Sequence, residues 1–125
     1  MNNSSGKIGE EYARRLMQKQ GYLILDANYY SRFGEIDIIA TDRQYIVFVE
    51  VKTRDANCKG EPVELVTAVK QKKIVQTALL YLQEHTELQH LQPRFDVVGL
   101  ITIGQNKQIK DVQYITNAFD GGGLF

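Results

Sequence analysis

The chain has no tryptophan, one cysteine and two prolines among 125 residues, and its 15 lysines and arginines are cancelled by 15 aspartates and glutamates. Each shortage excludes something. The lone Cys58 cannot close an internal disulfide, which fits a reducing, cytoplasmic setting. As a nucleophile it lacks a partner, because His85 and His90 lie in a polar stretch with no pairing geometry. Without tryptophan there is little platform for stacking sugars. No apolar run approaches the ~18 residues of a membrane helix. Met1 to Gly6 carry no apolar stretch of a secretory signal, so no membrane association is expected. Zero net charge argues against a generic basic coat protein for nucleic acid, whose affinity would come from net positive charge. It leaves room for a local basic groove beside a cluster of acids. Internal repeats and low-complexity segments are also missing.

What is present is ordinary globular material, 43% hydrophobic and 24% charged. The length suits one domain over residues 1–125, able to bury about two-thirds of its unfolded surface. Ile8, Tyr12, Leu16 and Met17 keep helical spacing and predict a helix over 4–20, capped by Ser4 or Ser5 and stopped at Gly21. Glu10 and Glu11 fall early in it, where the helix dipole favours acids. Residues 22–30 read as a strand with Leu23, Leu25 and Ala27 on one face. Two further strands, 35–40 and 45–53, flank the polar turn Thr41-Asp42-Arg43-Gln44 and form a hairpin. Pro62 opens a second helix running to about Glu84, with Val66, Val69, Ile74, Ala78, Leu79 and Leu82 as its apolar face. Strands over 94–103 and 108–115 close the chain, and the terminal glycines precede no helix, so they are not a phosphate loop. Helix, three strands, helix, two strands is an α/β arrangement, a mixed β-sheet flanked by helices.

Three charges interrupt this apolar β-sequence. Asp37 stands in the first hairpin strand, and Glu50 and Lys52 stand in the second. Charge within buried β-sequence is expensive unless paired or metal-bound. Alternation puts Glu50 and Lys52 on one face. A four-residue loop, 42 to 45, sets Asp37 opposite Glu50, and a two-residue loop, 42 and 43, sets it diagonal to Glu50 on the same face. Either way the three fall within one cluster, with neighbours roughly 5–8 Å apart. Two hard carboxylates suit Mg²⁺ or Mn²⁺, with the Val51 carbonyl as a further ligand. Such a metal acidifies water and polarises a phosphoryl oxygen, and a lysine beside it orients that water. Two plainer alternatives use the same residues. One is a solvated, salt-bridged strand face. The other is a glycosidase carboxylate pair, which the missing sugar platform disfavours.

Gly34-Glu35-Ile36-Asp37 followed by Val47-Phe48-Val49-Glu50-Val51-Lys52-Thr53-Arg54 resembles the PD-(D/E)xK nuclease signature, with Ile36 where that name writes proline. Gly6-x-x-Gly9-Glu10-x-x-Ala13, Gly21-Tyr22, Lys70, Arg94-Phe95-Asp96-Val97-Val98 and Asn117-Ala118-Phe119 extend the likeness over nearly the whole chain. Together they resemble the small bacterial YraN-like family, which is similar to archaeal Holliday junction resolvases. The resemblance implies a restriction-endonuclease-like core and a metal-dependent endonuclease acting on DNA, branched or single-stranded, with a homodimer suggested by the resolvases. It implies that Asp37 and Glu50 bind metal, that Lys52 assists the attacking water and that Glu10 completes the site. Glu35 shares the Asp37 face. Arg54, Lys70 and Lys73 are expected to contact the nucleic-acid backbone, with Lys72 beside them. The competing expectations are a nucleic-acid-binding or partner-binding module that keeps the fold without catalysis, and a purely structural assembly protein.

Overall fold

The computed structural model describes residues 4–57 and 62–123, so the expectation about Cys58 lies outside the described residues. Helix α1 spans Ser4–Lys19 and is followed by strands β1 (Leu23–Ser31), β2 (Gly34–Thr41) and β3 (Tyr45–Asp55). A 3₁₀ turn (Pro62–Leu65) leads into helix α2 (Ala68–Glu84). A second 3₁₀ turn (Thr86–Leu88) precedes strands β4 (Gln92–Ile103) and β5 (Gln108–Phe119). The strands form one sheet in the order β1-β2-β3-β4-β5. Only β3 and β4 run parallel, joined by the crossover through α2, and the other neighbours are antiparallel. This is the expected mixed α/β sheet with flanking helices, consistent with a restriction-endonuclease-like core. Among the described residues no helix is long and apolar enough to cross a membrane.

The helices cover opposite faces. Ala13 and Met17 of α1 pack on Ile38, Ala40, Val47, Val49, Val98 and Leu100. Ile74, Val75, Ala78, Tyr81 and Leu82 of α2 pack on Ile39, Ile46, Phe48, Phe95 and Val97. Central strands buried on both faces read as near-continuous apolar runs, as β3 does up to Glu50 and β4 does after Asp96. Phe48 stacks on Phe95 at 5.5 Å between centroids, and Phe95 on Phe119 at 5.3 Å. His85 stacks on Tyr81 at 4.0 Å, and its Nδ1 lies 2.8 Å from the Tyr81 carbonyl, so it belongs to the end of α2.

Several boundaries differ from the sequence reading. Pro62 opens the 3₁₀ turn rather than α2, and the helix starts at Ala68 with Thr67 as its cap, the hydroxyl accepting from Lys70 N at 3.2 Å. Val69 therefore points outward, 66% exposed, while Val75 and Tyr81 take up the apolar face. Leu23, Leu25 and Ala27 do not line one face of β1, because a bulge between Ile24 and Asp26 breaks the alternation. Leu23 is exposed, and Ile24 and Leu25 join opposite cores. Gly21 does stop α1: it sits at φ 95°, and the Tyr22 amide returns to the Met17 carbonyl at 3.0 Å.

One glycine brings α1 onto the sheet. A Cβ at Gly9 would overlap Thr53 Oγ1 on β3. That hydroxyl oxygen is itself buried without a hydrogen-bond partner. A second buried feature ties β4 to β5. Arg94 and Asp96 pair at 2.8 Å with side chains 10% and 0% exposed. Asp96 also accepts from Tyr114 Oη at 2.5 Å and from the Asn117 amide at 2.9 Å, while Arg94 donates to Tyr22 Oη at 2.7 Å. Burial opposes the Arg94 charge, but the bonds to Asp96 and Tyr22 outweigh it and hold the guanidinium's pKa above its usual value.

Two stability measurements follow from these contacts. Gly9→Ala gains about 1 kcal/mol of helix propensity at most, less than the ~1–3 kcal/mol that overpacking against Thr53 costs, so urea unfolding should show net loss. Adding Thr53→Ala removes the opposing hydroxyl and should restore most of that loss. Asp96→Ala leaves Arg94 buried without its carboxylate and should cost about 3–5 kcal/mol in the same assay.

Candidate active site

The β2–β3 ladder runs from Thr41 opposite Ile46 to Ile38 opposite Val49 and then ends. This is the register of the four-residue loop, and its next pair is Asp37 and Glu50. Beyond that point the strands part. The Val51 amide donates to Asp37 Oδ2 at 2.7 Å, so a side chain takes the place of the next strand. A strand residue's N–H and C=O leave on the same side, so the Val51 carbonyl also faces this gap. Asp37 and Glu50 are buried there, 8% and 5% exposed. Burial raises the Asp37 pKa first, the Glu50 carboxylate beside it adds to the rise, and a hydrogen bond between the two carboxyls favours the protonated form. The Val51 amide works the other way and does not cancel the rise.

Two ammonium groups converge on Glu50. Lys52 Nζ lies 3.7 Å from Glu50 Oε2, and Lys70 Nζ lies 3.4 Å from the same oxygen. Lys70 comes from the first turn of α2, where the helix dipole disfavours a cation. Glu50 offsets that disadvantage. Both lysines are about a third exposed or more, so solvent weakens these contacts.

Glu10 enters from the opposite helix. It lies beyond the first turn of α1, so the dipole does not explain it. Its setting is the glycine contact: Gly9 lets α1 touch β3 at Thr53, and Glu10 follows. The Asn28 amide, oriented with its nitrogen toward the acids, donates to Glu10 Oε1 and Glu35 Oε2, both at 3.0 Å. Burial raises the Glu10 pKa, the Asn28 bond lowers it, and Glu35 and Glu50 add to the rise while Arg14 opposes it. Tyr30 lies opposite Glu35 in the β1–β2 ladder and closes the rim.

Asp37, Glu50, Lys52, Lys70, Glu10 and Glu35 are thus gathered at the parting of β2 and β3. Arg54 lies two residues beyond Lys52 on β3, half-buried, and Lys73 packs beside Gly34 at the β1–β2 turn. Lys72 departs from the group. It lines a groove of about 400 Å³ with Ala68, Gln71, Val75, Asp120, Gly121 and Gly122. Asn28 and Tyr30 were missed in the sequence. Asn28 holds φ 54° inside a strand, a conformation asparagine tolerates better than most residues. An asparagine breaking the alternation of β1 was the available signal.

Among the described residues no group of three or more His, Cys, Asp or Glu is arranged to hold a metal ion. The donor set is a carboxylate pair with a backbone carbonyl facing it. That suits a hard divalent cation that keeps several waters, since Mg²⁺ takes one or two carboxylates and leaves the rest to water and phosphate. The mutual repulsion that keeps a proton on the pair is the repulsion a cation would relieve.

A family model described as "Uncharacterised protein family UPF0102" matches residues 9–100. That span includes Glu10, Asn28, Asp37, Glu50, Lys52 and Lys70. A UPF0102 protein of Clostridium botulinum (strain Loch Maree / Type A3) is 42% identical over 120 residues, covering 94% of this chain and 95% of that protein. One of Chlorobium phaeobacteroides (strain BS1) is 43% identical over 118 residues, covering 91% and 92%. One of Syntrophotalea carbinolica is 41% identical over 120 residues, covering 96% and 94%. These matches bear out the family resemblance read from the motifs.

The raised Asp37 pKa sets a pH dependence. The folded state holds its proton more tightly than the unfolded chain, so this group's contribution is fully present in acid and is lost as pH rises from the ordinary carboxylate range through neutrality. Asp37→Asn stays neutral and can still accept from the Val51 amide. The variant's thermal midpoint should therefore exceed that of the wild type at neutral pH without divalent metal, and the gap should close toward acid. A wild type equal or superior to the variant at neutral pH would contradict the assignment.

Proposed function

We propose, for a chain that belongs to the UPF0102 family, a function drawn from its site: a divalent-metal-dependent endonuclease that hydrolyses phosphodiester bonds in DNA. The observation that carries this reading is the buried Asp37–Glu50 pair at the end of the β2–β3 ladder, with Lys52 and Lys70 both on Glu50. A solvated salt-bridged face would expose its carboxylates, and these are buried.

In this reading Asp37, Glu50 and the Val51 carbonyl hold Mg²⁺ or Mn²⁺. The metal supplies an acidified water and a polarised phosphoryl oxygen. Lys52 Nζ, free to turn from Glu50, orients the attacking water. The water oxygen adds to phosphorus as its proton passes to solvent, the bridging P–O bond breaks, and the leaving oxygen takes up a proton from solvent. Lys70 balances Glu50 and, with Arg54 and Lys73, holds the strand's phosphates. Glu10 completes the acidic set, held by Asn28.

The direct test incubates pure protein with branched, single-stranded and duplex DNA in the presence of Mg²⁺ or Mn²⁺. Cleavage is expected on at least one substrate, lost on chelation, and reduced about 100-fold or more in Lys52→Ala. Absence of cleavage on every substrate, or cleavage unchanged in Lys52→Ala, would sink the reading. Salt-sensitive binding without cleavage would favour a non-catalytic nucleic-acid module.

A further inference from the structure

The tip of the β1–β2 hairpin carries side chains that the acidic site does not use. Tyr30 is 70% exposed, although an aromatic ring gains much from burial. It pairs opposite Glu35 in the β1–β2 ladder, and Asn28, two residues before it, bonds Glu10 and Glu35, so the ring stands at the rim of the acidic gap. Two residues on, the exposed Arg32 guanidinium lies over the Phe33 ring, 4.8 Å from its centroid.

This tip is braced. Ser31 Oγ accepts from the Phe33 amide at 3.0 Å and meets Thr77 Oγ1 of α2 at 2.9 Å. Thr77 is fully buried and donates to the Lys73 carbonyl at 2.8 Å, and Ser31 donates to the Gly34 carbonyl at 3.3 Å, so the paired hydroxyls tie the turn to α2. Lys73 itself is exposed beside Gly34. A tyrosine ring, a guanidinium plane and an ammonium group therefore share one rigid frame.

We propose that this tip is a nucleobase-stacking platform, in which Tyr30 and Arg32 take the face of an unpaired base whose strand passes the acidic gap. Bases within a duplex present only their edges in the grooves, whereas unpaired bases present faces. Stacking on aromatic and guanidinium planes is indifferent to sequence and adds affinity that a chain of zero net charge does not obtain from electrostatics alone. The braced turn loses little freedom on binding. Arg32 and Lys73 match the phosphates that flank such a base, which an apolar protein partner would not need. The placement of the strand rests on the nuclease reading, and the stacking itself does not. The consequence is selection of DNA with splayed or single-stranded bases.

The test compares a short labelled single strand with an abasic strand of equal length and charge, by fluorescence anisotropy at fixed low salt without divalent metal. Tyr30→Ala should weaken binding of the base-bearing strand at least about fivefold and leave the abasic strand unchanged. Tyr30→Phe keeps the ring and should stay within about twofold of the wild type. Unchanged thermal midpoints establish that the variants fold. Equal losses on both strands, no loss on either, or no binding of the base-bearing strand by the wild type overturns the platform. Cleavage by the wild type together with base-independent binding removes the platform and leaves the nuclease. Base-dependent binding with no cleavage of any DNA does the reverse.

Discussion

Burying two carboxylates side by side is the constraint on which this architecture turns. Asp37 and Glu50 lose their water together, and their charges repel at short range, so the Asp37 pKa is raised. The sheet accommodates them by parting: the β2–β3 ladder ends at Ile38 and Val49, and the Val51 amide turns to Asp37. Each helix then contributes from its own side. The Gly9 contact brings α1, and with it Glu10, down on β3. The Thr67 cap starts α2 so that Lys70 reaches Glu50.

The Arg94–Asp96 pair shows the same difficulty resolved differently. Asp96 is wholly buried, yet its carboxylate receives Arg94, the Tyr114 hydroxyl and the Asn117 amide. Every partner belongs to the chain, so the network is closed and its effect is to tie β4, β5 and Tyr22 together. The Asp37–Glu50 site is not closed in this way. Both lysines address Glu50, and Asp37 is left with an amide and a proton shared with its neighbour. An acid fully satisfied by its own fold holds structure. An acid pair that its own fold leaves incompletely satisfied marks a candidate functional site.

Much of the layout was legible because it depends on short-range periodicity. Alternation along β3 put Glu50 and Lys52 on one face, and either hairpin loop put Asp37 on that face, opposite or diagonal to Glu50; the structure takes the opposite register. Gly21 marked the end of α1 by its backbone freedom. Other features were not legible, for identifiable reasons. The sequence signal at Pro62 marked the helix start, whereas in the fold Pro62 opens a 3₁₀ turn, Val66 packs into the core and Thr67 caps α2. The bulge at Ile24 and Asp26 lies opposite Ala40 and Ile39 and depends on pairing with β2, so no local pattern announces it, and the left-handed Asn28 had only its residue type as a signal.

The sequence by itself determined the α/β order, the central strands and the membership of Asp37, Glu50 and Lys52 in one cluster, because these follow from side-chain period and turn length. Tertiary structure alone decided that Lys70 joins Glu50, that Lys72 lines a separate groove, and that Asn28 bridges Glu10 to Glu35. It also decided that Arg94 and Asp96 close upon themselves. The physical reason is common to all of these. Electrostatic and hydrogen-bond partners are chosen across elements far apart in the chain, by which faces meet and how much water they exclude, and periodicity carries no information about either.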